Sequence, residues 1–264
     1  MEEVVFQKKR QRSCNHEKIV LLVDKHNNVN SVQGWSDDNV TILDSIKTYL
    51  EVFILRKLKM TLKHEIAIVS FDEAKVILNS DFSRNEKSLI SKLKSIDNEN
   101  ECNSINITEE NNLNEIVNHS IEILRLNSSV SDNCINLRFI LIYARDISPI
   151  INEIAQFLYN PWVYFDILYL HAKVTKEVDD LISNYQEIFD NLALFQQAIS
   201  DSNRNDNDNN EDVANAEEKI NYIYDSHNSS LRLSTYITSL LAHSAIRDAQ
   251  HEFLQKLDKK SKVT

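Results

Sequence analysis

The sequence predicts an α/β protein with an open, mostly parallel, doubly wound sheet and helices on both of its faces. Three observations support this prediction. Apolar runs of strand length alternate with longer segments of helical periodicity along most of the chain. Several of these runs are continuously apolar, which is typical of parallel strands that are covered on both faces. The 264 residues, of which 42% are hydrophobic, suffice for the core of one large domain or of two small ones.

The first part of the chain contains a strand, a long helix and a hairpin. The run KIVLLVD, Lys18–Asp24, is the first predicted strand. The helix that follows spans Ser36–Met60, with Ser36 as its N-cap, acidic residues in its first turn and basic residues in its last. Two further strands, His64–Phe71 and Ala74–Asn79, are separated by a short turn and are expected to pair as an antiparallel hairpin. The sheet is therefore predicted to have one antiparallel edge strand.

Helices and strands alternate in the rest of the chain, which indicates parallel strands joined by crossover helices. One segment, Thr175–Gln196, fits either a single helix or two. The helix at Ser148–Tyr159 is predicted from a serine cap and a proline at the first helical position. The other predicted elements are a helix at Asn85–Ile96, a polar loop at Asp97–Thr108, a helix at Asn111–Leu126, strands at Asn136–Ala144, Trp162–His171 and Ile220–Asp225, and a closing helix at Asn228–His243.

Composition divides the chain into one domain and two tails. We predict a disordered N-terminal tail at residues 1–16, an α/β domain at residues 17–247 and a charged C-terminal tail at residues 248–264. An acidic low-complexity insertion, residues 200–219, has too few apolar side chains to order itself, and it fits either a solvated loop or a regulatory segment. The basic run at Lys8–Arg12 fits either a disordered tail or a nuclear-import signal.

Charge and composition exclude several classes of function. The net charge of -11 disfavours general nucleic-acid binding. No apolar stretch is long enough for a membrane span, and no signal peptide opens the chain. Phosphate-binding loops need several glycines, whereas the chain contains only Gly34, so P-loops, dinucleotide fingerprints and kinase loops are excluded. We therefore expect no cofactor, and the three scattered cysteines indicate a reduced protein of the cytoplasm or nucleus.

The sequence also lacks the common catalytic motifs. Neither Gly-x-Ser-x-Gly nor His-Glu-x-x-His occurs. Asp166 and His171 form a conceivable catalytic pair, but a hydrogen bond between Asp166 and a neighbouring loop explains the pattern better. Glu65 and Asp72 flank a predicted strand without a third group to polarise. We predict that the protein is not an enzyme, with an unrecognised hydrolase as the weaker alternative.

A pattern at the end of the first predicted strand bears on metal binding. Asp24 ends the apolar run, and His26 and Asn28 follow at alternate positions. An Asp-x-Ser-x-Ser loop in this place would supply oxygen ligands, which suit a hard divalent cation such as Mg²⁺. Here neither serine is present, so the loop is an intact site, the remains of one, or a coincidence.

The order of the elements resembles the von Willebrand factor A fold. That resemblance implies a metal site with an Asp and two Ser from the first loop, a Thr before a later helix and an Asp after the fourth strand. His26 and Asn28 stand at the serine positions. The expected threonine position falls near Asn111 and holds no threonine, and Thr108 lies two or three residues too early to fill it. Arg145 stands in place of the second acidic residue, so we predict no intact metal site. The degenerate metal-site positions are Asp24, His26, Asn28 and Arg145.

Asp24 and Arg145 are expected to meet in the folded protein. In the von Willebrand factor A strand order, the strands that end at these two residues are neighbours, so their carboxyl ends lie side by side. A planar guanidinium can bond a carboxylate twice. We hypothesise that Arg145 fills the space of the lost cation. In the alternative, Arg145 points to solvent and Asp24 only caps a turn.

The amino-acid sequences of four segments resemble one family with this fold. In their order and spacing they are similar to the von Willebrand factor A-like scaffolding subunit of the BRISC deubiquitinase. That subunit is shared with the related nuclear complex built around the breast-cancer susceptibility ubiquitin ligase. The resemblance runs from about Lys18 to Arg247. The four segments are KHEIAIVSFDEAKVILNSDF, LRFILIYAR, NPWVYFDILYLH and LRLSTYITSLLAH.

The family resemblance implies a non-catalytic scaffold in the cytoplasm and nucleus. Such subunits help to assemble a complex that cleaves Lys63-linked ubiquitin chains, with the chemistry in a JAMM zinc deubiquitinase that is paired with an MPN-like scaffold. The family's subunit binds a UEV-domain subunit, and a Pro-x-x-Arg element after the last helix is implicated in this contact. The matching stretch here, Ser244-Ala245-Ile246-Arg247, keeps the arginine and lacks the proline. The predicted partner-binding residues are Ser244, Ile246 and Arg247, although Arg247 also suits the negative end of a helix dipole.

A second class of function stays open at the level of sequence. A metal-dependent von Willebrand factor A module would recognise a carboxylate of its partner through a bound ion. Binding of Mg²⁺ that is abolished by Asp24→Ala would favour this module over the scaffold.

Overall fold

The computed structural model describes residues 16–25, 41–97, 103–126, 135–152, 154–160, 162–171, 179–205, 221–227 and 230–241. The strands within this part of the chain are β1 Glu17–Asp24, β2 Glu65–Phe71, β3 Lys75–Ser83, β4 Ser104–Asn106, β5 Asn136–Tyr143, β6 Val163–His171 and β7 Ile223–His227. They form one sheet in the order β4-β3-β2-β1-β5-β6-β7.

Five α-helices accompany the sheet in the described part of the chain. None of them combines the length and the apolar character that a helix needs to cross a membrane. The helices are α1 Ile42–Met60, α2 Glu86–Lys94, α3 Leu113–Ile123, α4 Asp179–Asn205 and α5 Ser230–Leu240.

The sheet is mostly parallel, as predicted. β1 pairs in parallel with both β2 and β5, and the parallel pairing continues through β6 to β7. Among the described strands only β3 runs in the direction opposite to the rest of the sheet, because it is antiparallel to β2 and to the short β4 at the edge. The strand order reverses at β1, so the carboxyl ends of β1 and β5 border the crevice where open α/β sheets place functional groups.

Helices cover both faces of the sheet, which confirms the predicted layering. Side chains alternate between the faces of a strand, so β1 contributes to two cores. Leu21 and Val23 pack with α1, α2 and α5, whereas Val20 and Leu22 pack with α3 and α4. α1 buries an apolar stripe in the first of these cores, and its described members include Leu43, Ile46, Leu50 and Phe53.

The structure corrects the predicted start of α1. The helix begins at Ile42, and its N-cap is Thr41, whose backbone is extended at φ -71° and ψ 158°. Thr41 Oγ1 accepts a hydrogen bond from the backbone N–H of Asp44 at 3.0 Å. Ser36, the predicted cap, lies outside the described residues.

Replacement of Thr41 by alanine is expected to lower the free energy of unfolding by about 1 kcal/mol, because the first turn of α1 loses its capping oxygen. Urea denaturation followed by circular dichroism measures the change. Thr48→Ala is the matched control, since the Thr48 hydroxyl only bonds back to the Asp44 carbonyl on the exposed side of the helix. An equal loss of stability in both variants would contradict the assignment of Thr41 as the cap.

The predicted helix at Ser148–Tyr159 is wrong except at its end. Among the described residues of this segment, only Gln156–Tyr159 is helical, as a short 3-10 helix. The Ile150 N–H donates to the Asn111 carbonyl at 3.0 Å, and the Ile150 carbonyl accepts from the Leu113 N–H at 3.1 Å. This strand-like bridge requires extended backbone, so a tertiary pairing outweighs the local helix signal.

Several further boundaries differ from the prediction, and two of these differences change the type or the extent of a predicted segment. β4 lies inside the segment that was predicted as a polar loop, where its three residues pair with β3. α4 is one continuous helix that runs to Asn205, so residues 200–205 of the predicted insertion are helical. The remainder of the insertion, residues 206–219, and the tails at residues 1–15 and 248–264 lie outside the described residues.

Candidate functional site

The candidate site lies at the carboxyl ends of the two central strands. Asp24 is the last residue of β1, and Ala144 and Arg145 come directly after β5. Val23 and Ile142 are register partners in the parallel β1–β5 pair. The register therefore places Asp24 beside the residues that leave β5.

Asp24 and Arg145 form a buried ion pair. Arg145 Nε lies 3.1 Å from Asp24 Oδ1 and 3.0 Å from Oδ2, and both side chains are fully buried. The backbone N–H of Ala144 donates to the same Oδ2 at 3.2 Å. The structure thus brings together the two residues that the strand order paired, and Arg145 does not point to solvent.

Asn111 provides the third side chain of the cluster. Arg145 Nη1 donates to Asn111 Oδ1 at 2.7 Å. The backbone of Asn111 has a φ of 61°, in the left-handed region that asparagine tolerates better than most residues. Asn112 follows as the N-cap of α3 and accepts from the Glu115 N–H at 3.1 Å. We name the set Asp24, Asn111 and Arg145 the arginine cluster.

Two aromatic rings enclose the guanidinium of the arginine cluster. The Arg145 Cζ atom lies 5.1 Å from the ring centre of Phe71 and 5.9 Å from that of Tyr143. Both rings are buried, so the cation rests against π-faces in a dry environment. Arg145 Nη2 is buried without a hydrogen-bond partner among the described residues.

The electrostatics of the cluster keep Arg145 charged and Tyr143 neutral. Burial alone would lower the pKa of Arg145, but the attraction and hydrogen bonds of Asp24 outweigh it and raise the pKa. Burial, assisted by the negative charge of Asp24, raises the pKa of Tyr143 far above its usual value. The Tyr143 hydroxyl donates to the Ile147 carbonyl at 2.7 Å and so orders the loop after Arg145.

Thr108 takes no part in the arginine cluster. Its backbone N–H and its hydroxyl both donate to Glu115 Oε1 at 2.7 Å, and the Glu109 N–H donates to Oε2 at 3.0 Å. Burial raises the pKa of Glu115, but the hydrogen bonds from Thr108 and Glu109 outweigh it, so the net pKa lies below the usual 4.5. Glu115 therefore closes the loop before α3 as a carboxylate.

Replacement of Glu115 by glutamine is expected to flatten the dependence of stability on pH below 4.5. A lowered pKa in the folded state adds stability that is complete above pH 4.5 and is lost as the pH falls through the folded value. Glutamine does not titrate, so the variant lacks this component and is less stable than the wild type at neutral pH. Urea midpoints between pH 3 and pH 7 measure the difference, and parallel curves for the two proteins would refute it.

Several sequence-predicted residues lie outside the described part of the chain. These residues, which stay predictions, are His26, Asn28, Ser244, Ile246 and Arg247.

The two conceivable acid–base pairs do not come together as catalytic pairs. Asp166 and His171 point to opposite faces of β6, since they are five residues apart. His171 stacks on the ring of Tyr185 at 4.5 Å. Glu65 and Asp72 lie at opposite ends of β2. Neither pair therefore has the arrangement that an acid–base pair requires.

Sequence reasoning missed two further buried ion pairs. Arg138 Nε donates to Asp166 Oδ2 at 2.7 Å, and Lys57 Nζ lies 2.5 Å from Glu17 Oε2. All four side chains are fully buried. The signal for the first pair was present, because two apolar runs each contain one charge and these charges are opposite in sign. In the β5–β6 register, Arg138 faces Tyr164, two residues before Asp166 and on the same face.

The described residues contain no group of three or more His, Cys, Asp or Glu side chains that could hold a metal ion. At the arginine cluster, one carboxylate is bonded to a guanidinium. This arrangement can stabilise the loop cluster, but it offers neither a nucleophile nor an open coordination position.

Comparison with known proteins identifies the fold. No protein-family profile matches the sequence, and no characterised protein matches it by sequence. The crystal structure of the SpRpn10 VWA domain matches with a TM-score of 0.50 and 11% identity, over 85% of this chain and 94% of that chain. The PilB minor pilin from Streptococcus sanguinis matches with a TM-score of 0.50 and 8% identity, over 86% of this chain and 60% of that chain. The chain therefore has a von Willebrand factor A-like fold.

Proposed function

We propose that this protein is a non-catalytic scaffold subunit of a complex that cleaves Lys63-linked ubiquitin chains. The complex is BRISC-like and is related to the nuclear complex of the DNA-damage response. Two observations support the proposal. The arginine cluster occupies the place where the resembling fold has its metal site, and four sequence segments resemble the BRISC scaffold subunit.

The arginine cluster is the observation that carries the proposal. Asp24 Oδ1 and Oδ2 accept hydrogen bonds from Arg145 Nε, and Oδ2 also accepts from Ala144. A divalent cation bound to Asp24 would have to displace the guanidinium or lie beside it. Two positive centres in one buried space repel each other strongly, since little water screens them. A domain in which an arginine fills the metal position is expected to bind its partners through protein surfaces and not through a metal ion.

The partner in this proposal is the UEV-domain subunit of the complex. Through it the chain joins the JAMM zinc deubiquitinase and its MPN-like scaffold in the cytoplasm and nucleus. The contact uses the stretch Ser244 to Arg247 after the last helix, with Ser244, Ile246 and Arg247 as the contact residues. The likeness of this stretch to the family's Pro-x-x-Arg element supports its assignment as the contact.

Affinity purification followed by mass spectrometry tests the proposal. The tagged full-length chain is expected to recover the JAMM deubiquitinase and the UEV-domain subunit. Arg247→Ala is expected to lose both, whereas Arg56→Ala, a change at an exposed arginine of α1, serves as the matched control and keeps both. A clean purification of the wild-type chain without either subunit would refute the scaffold role.

Calorimetry with Mg²⁺ separates the scaffold from the metal-dependent module. We expect no binding heat at millimolar Mg²⁺, because Arg145 neutralises Asp24. Binding at micromolar affinity that disappears in Asp24→Ala would overturn the scaffold proposal in favour of recognition of a partner's carboxylate through a metal.

A further inference from the structure

The turn between α1 and β2 exposes apolar side chains to solvent. Leu62 is 87% exposed, the most of any large hydrophobic side chain in the described part of the chain, and Met60 at the end of α1 is 55% exposed. Single exposed hydrophobic side chains are common on proteins, so exposure alone assigns no role to Leu62. The order of its turn and the charges around it are the features that distinguish this position.

Hydrogen bonds hold the turn in place on both sides of Leu62. Arg84 Nη1 donates to the Thr61 carbonyl at 3.3 Å and to the His64 carbonyl at 2.7 Å. The Lys63 N–H donates to Thr61 Oγ1 at 3.3 Å. The backbone is therefore ordered before any partner binds, and an ordered binding element loses little conformational entropy on association.

Four cations surround the exposed apolar side chains. Arg56 and Lys59 lie toward the end of α1, and Lys63 directly follows Leu62. Lys87 lies in the first turn of α2. All four basic side chains are exposed, and none of them forms an ion pair within the described residues. We name the following set the basic corner: Arg56, Lys59, Met60, Leu62, Lys63 and Lys87.

Ion pairs between the two helices show that Lys87 belongs to the same surface as the end of α1. Lys94 Nζ lies 2.8 Å from Glu51 Oε2, and Lys47 pairs with Asp97, so α1 and α2 run antiparallel. About two helical turns separate Lys87 from Lys94, and about two turns after Glu51 the chain reaches the last turn of α1. The cations of both helices therefore lie side by side.

The exposed cations of the basic corner lack the acidic partners that other basic side chains of this chain have. Lys57, in the same turn of α1, is buried, and its Nζ lies 2.5 Å from Glu17 Oε2. Cations at the end of α1 complement its dipole, but Lys87 lies beside Glu86 at the positive end of α2, where the dipole disfavours a cation. Neighbouring cations also repel one another. An anionic partner would remove this repulsion.

We propose that the basic corner docks on an acidic surface of another protein, with Leu62 inserted in an apolar pocket of that partner. Charge complementarity determines the sign of the partner, and the protruding leucine requires a concave apolar site. An anionic bilayer extends beyond the corner and meets the rest of a chain whose net charge is -11. An acidic protein surface of limited area meets mainly the corner, because salt screens charges beyond about 8 Å.

Selection of peptides from a random dodecapeptide phage library on the full-length chain tests the inference. The enriched peptides are expected to combine Asp and Glu with a large apolar residue. Synthetic copies of these peptides are expected to bind the wild-type chain more weakly as the salt concentration rises. Their Kd is expected to rise at least tenfold in Leu62→Ser and in Lys63→Glu.

Two matched variants control for the loss of an exposed leucine and of an exposed lysine. Leu194→Ser changes a leucine of α4 that is 59% exposed and lies outside the corner. Lys92→Glu changes an exposed lysine in the last turn of α2, away from the corner. Both controls are expected to leave the Kd unchanged. Urea midpoints verify that all four variants stay folded.

A selection that enriches no acidic and apolar peptides overturns the inference, and so do such peptides if they bind the corner variants as tightly as the wild type. Binding of the wild-type chain to vesicles of phosphatidylserine and phosphatidylcholine that is lost in Leu62→Ser also overturns it, because the corner would then dock on a membrane. The basic corner contains none of the residues assigned to the proposed function, so the failure of one leaves the other unaffected.

Discussion

Replacement of Arg145 by methionine is expected to lower the free energy of unfolding by about 3–5 kcal/mol. The side chain of Asp24 would lose both hydrogen bonds from Arg145 Nε while staying buried, and Asn111 Oδ1 would lose its donor. Methionine fills most of the arginine volume, so the loss reports the missing charge rather than a cavity. Urea denaturation at neutral pH measures the change.

A double-mutant cycle separates the energy of the interaction between Asp24 and Arg145 from the cost of leaving one charge buried without its partner. Asp24→Asn combined with Arg145→Met removes both charges, and the double variant is expected to regain most of the stability that the single variant loses. Arg145 Nη2 has no hydrogen-bond partner among the described residues, and such an unsatisfied donor in the wild-type pair makes this recovery larger. A coupling energy near zero would contradict the hypothesis that Arg145 replaces a cation.

Replacement of Arg138 by methionine is expected to cost about 3–5 kcal/mol as well. This single change strands the buried carboxylate of Asp166 and removes the cap of the Leu240 carbonyl. Thermal and urea unfolding measure the loss of stability against the wild type.

The compensated variant is the control for Arg138. Arg138→Met with Asp166→Asn is expected to be more stable than Arg138→Met alone, because no buried charge is left without its partner. If the single and the double variants were equally destabilised, the cost would come from lost packing around Arg138.

Burial on two faces made most of the sheet predictable. The runs that became β1, β2, β5 and β6 are apolar along most of their length, and this pattern can be recognised within a short window of residues, without knowledge of distant partners. The hairpin of β2 and β3 followed from a short turn between two such runs. The meeting of Asp24 with Arg145 was predictable from opposite charges once the strand order of the resembling fold was assumed.

Other elements were not predictable from local sequence. The serine cap at Ser148 and the proline that follows it indicate a helix. Ile150 nevertheless pairs with the segment before α3, and this pairing keeps the stretch extended. β4 has only three residues, and its pairing with β3 gives it strand geometry that its polar sequence does not favour. Helix propensity and strand propensity are weak compared with such tertiary pairing.

The sequence by itself determined which segments are buried, and with them the α/β class, while the resemblance to the von Willebrand factor A fold gave the expected neighbours of the central strand. Apart from the pair of Asp24 and Arg145, only the tertiary structure decided which polar groups meet: Arg138 reaches a carbonyl 102 residues away, and Lys57 reaches one 184 residues away. The physical reason is range, because apolar periodicity repeats within one element, whereas a hydrogen bond between elements depends on packing and register across the whole domain.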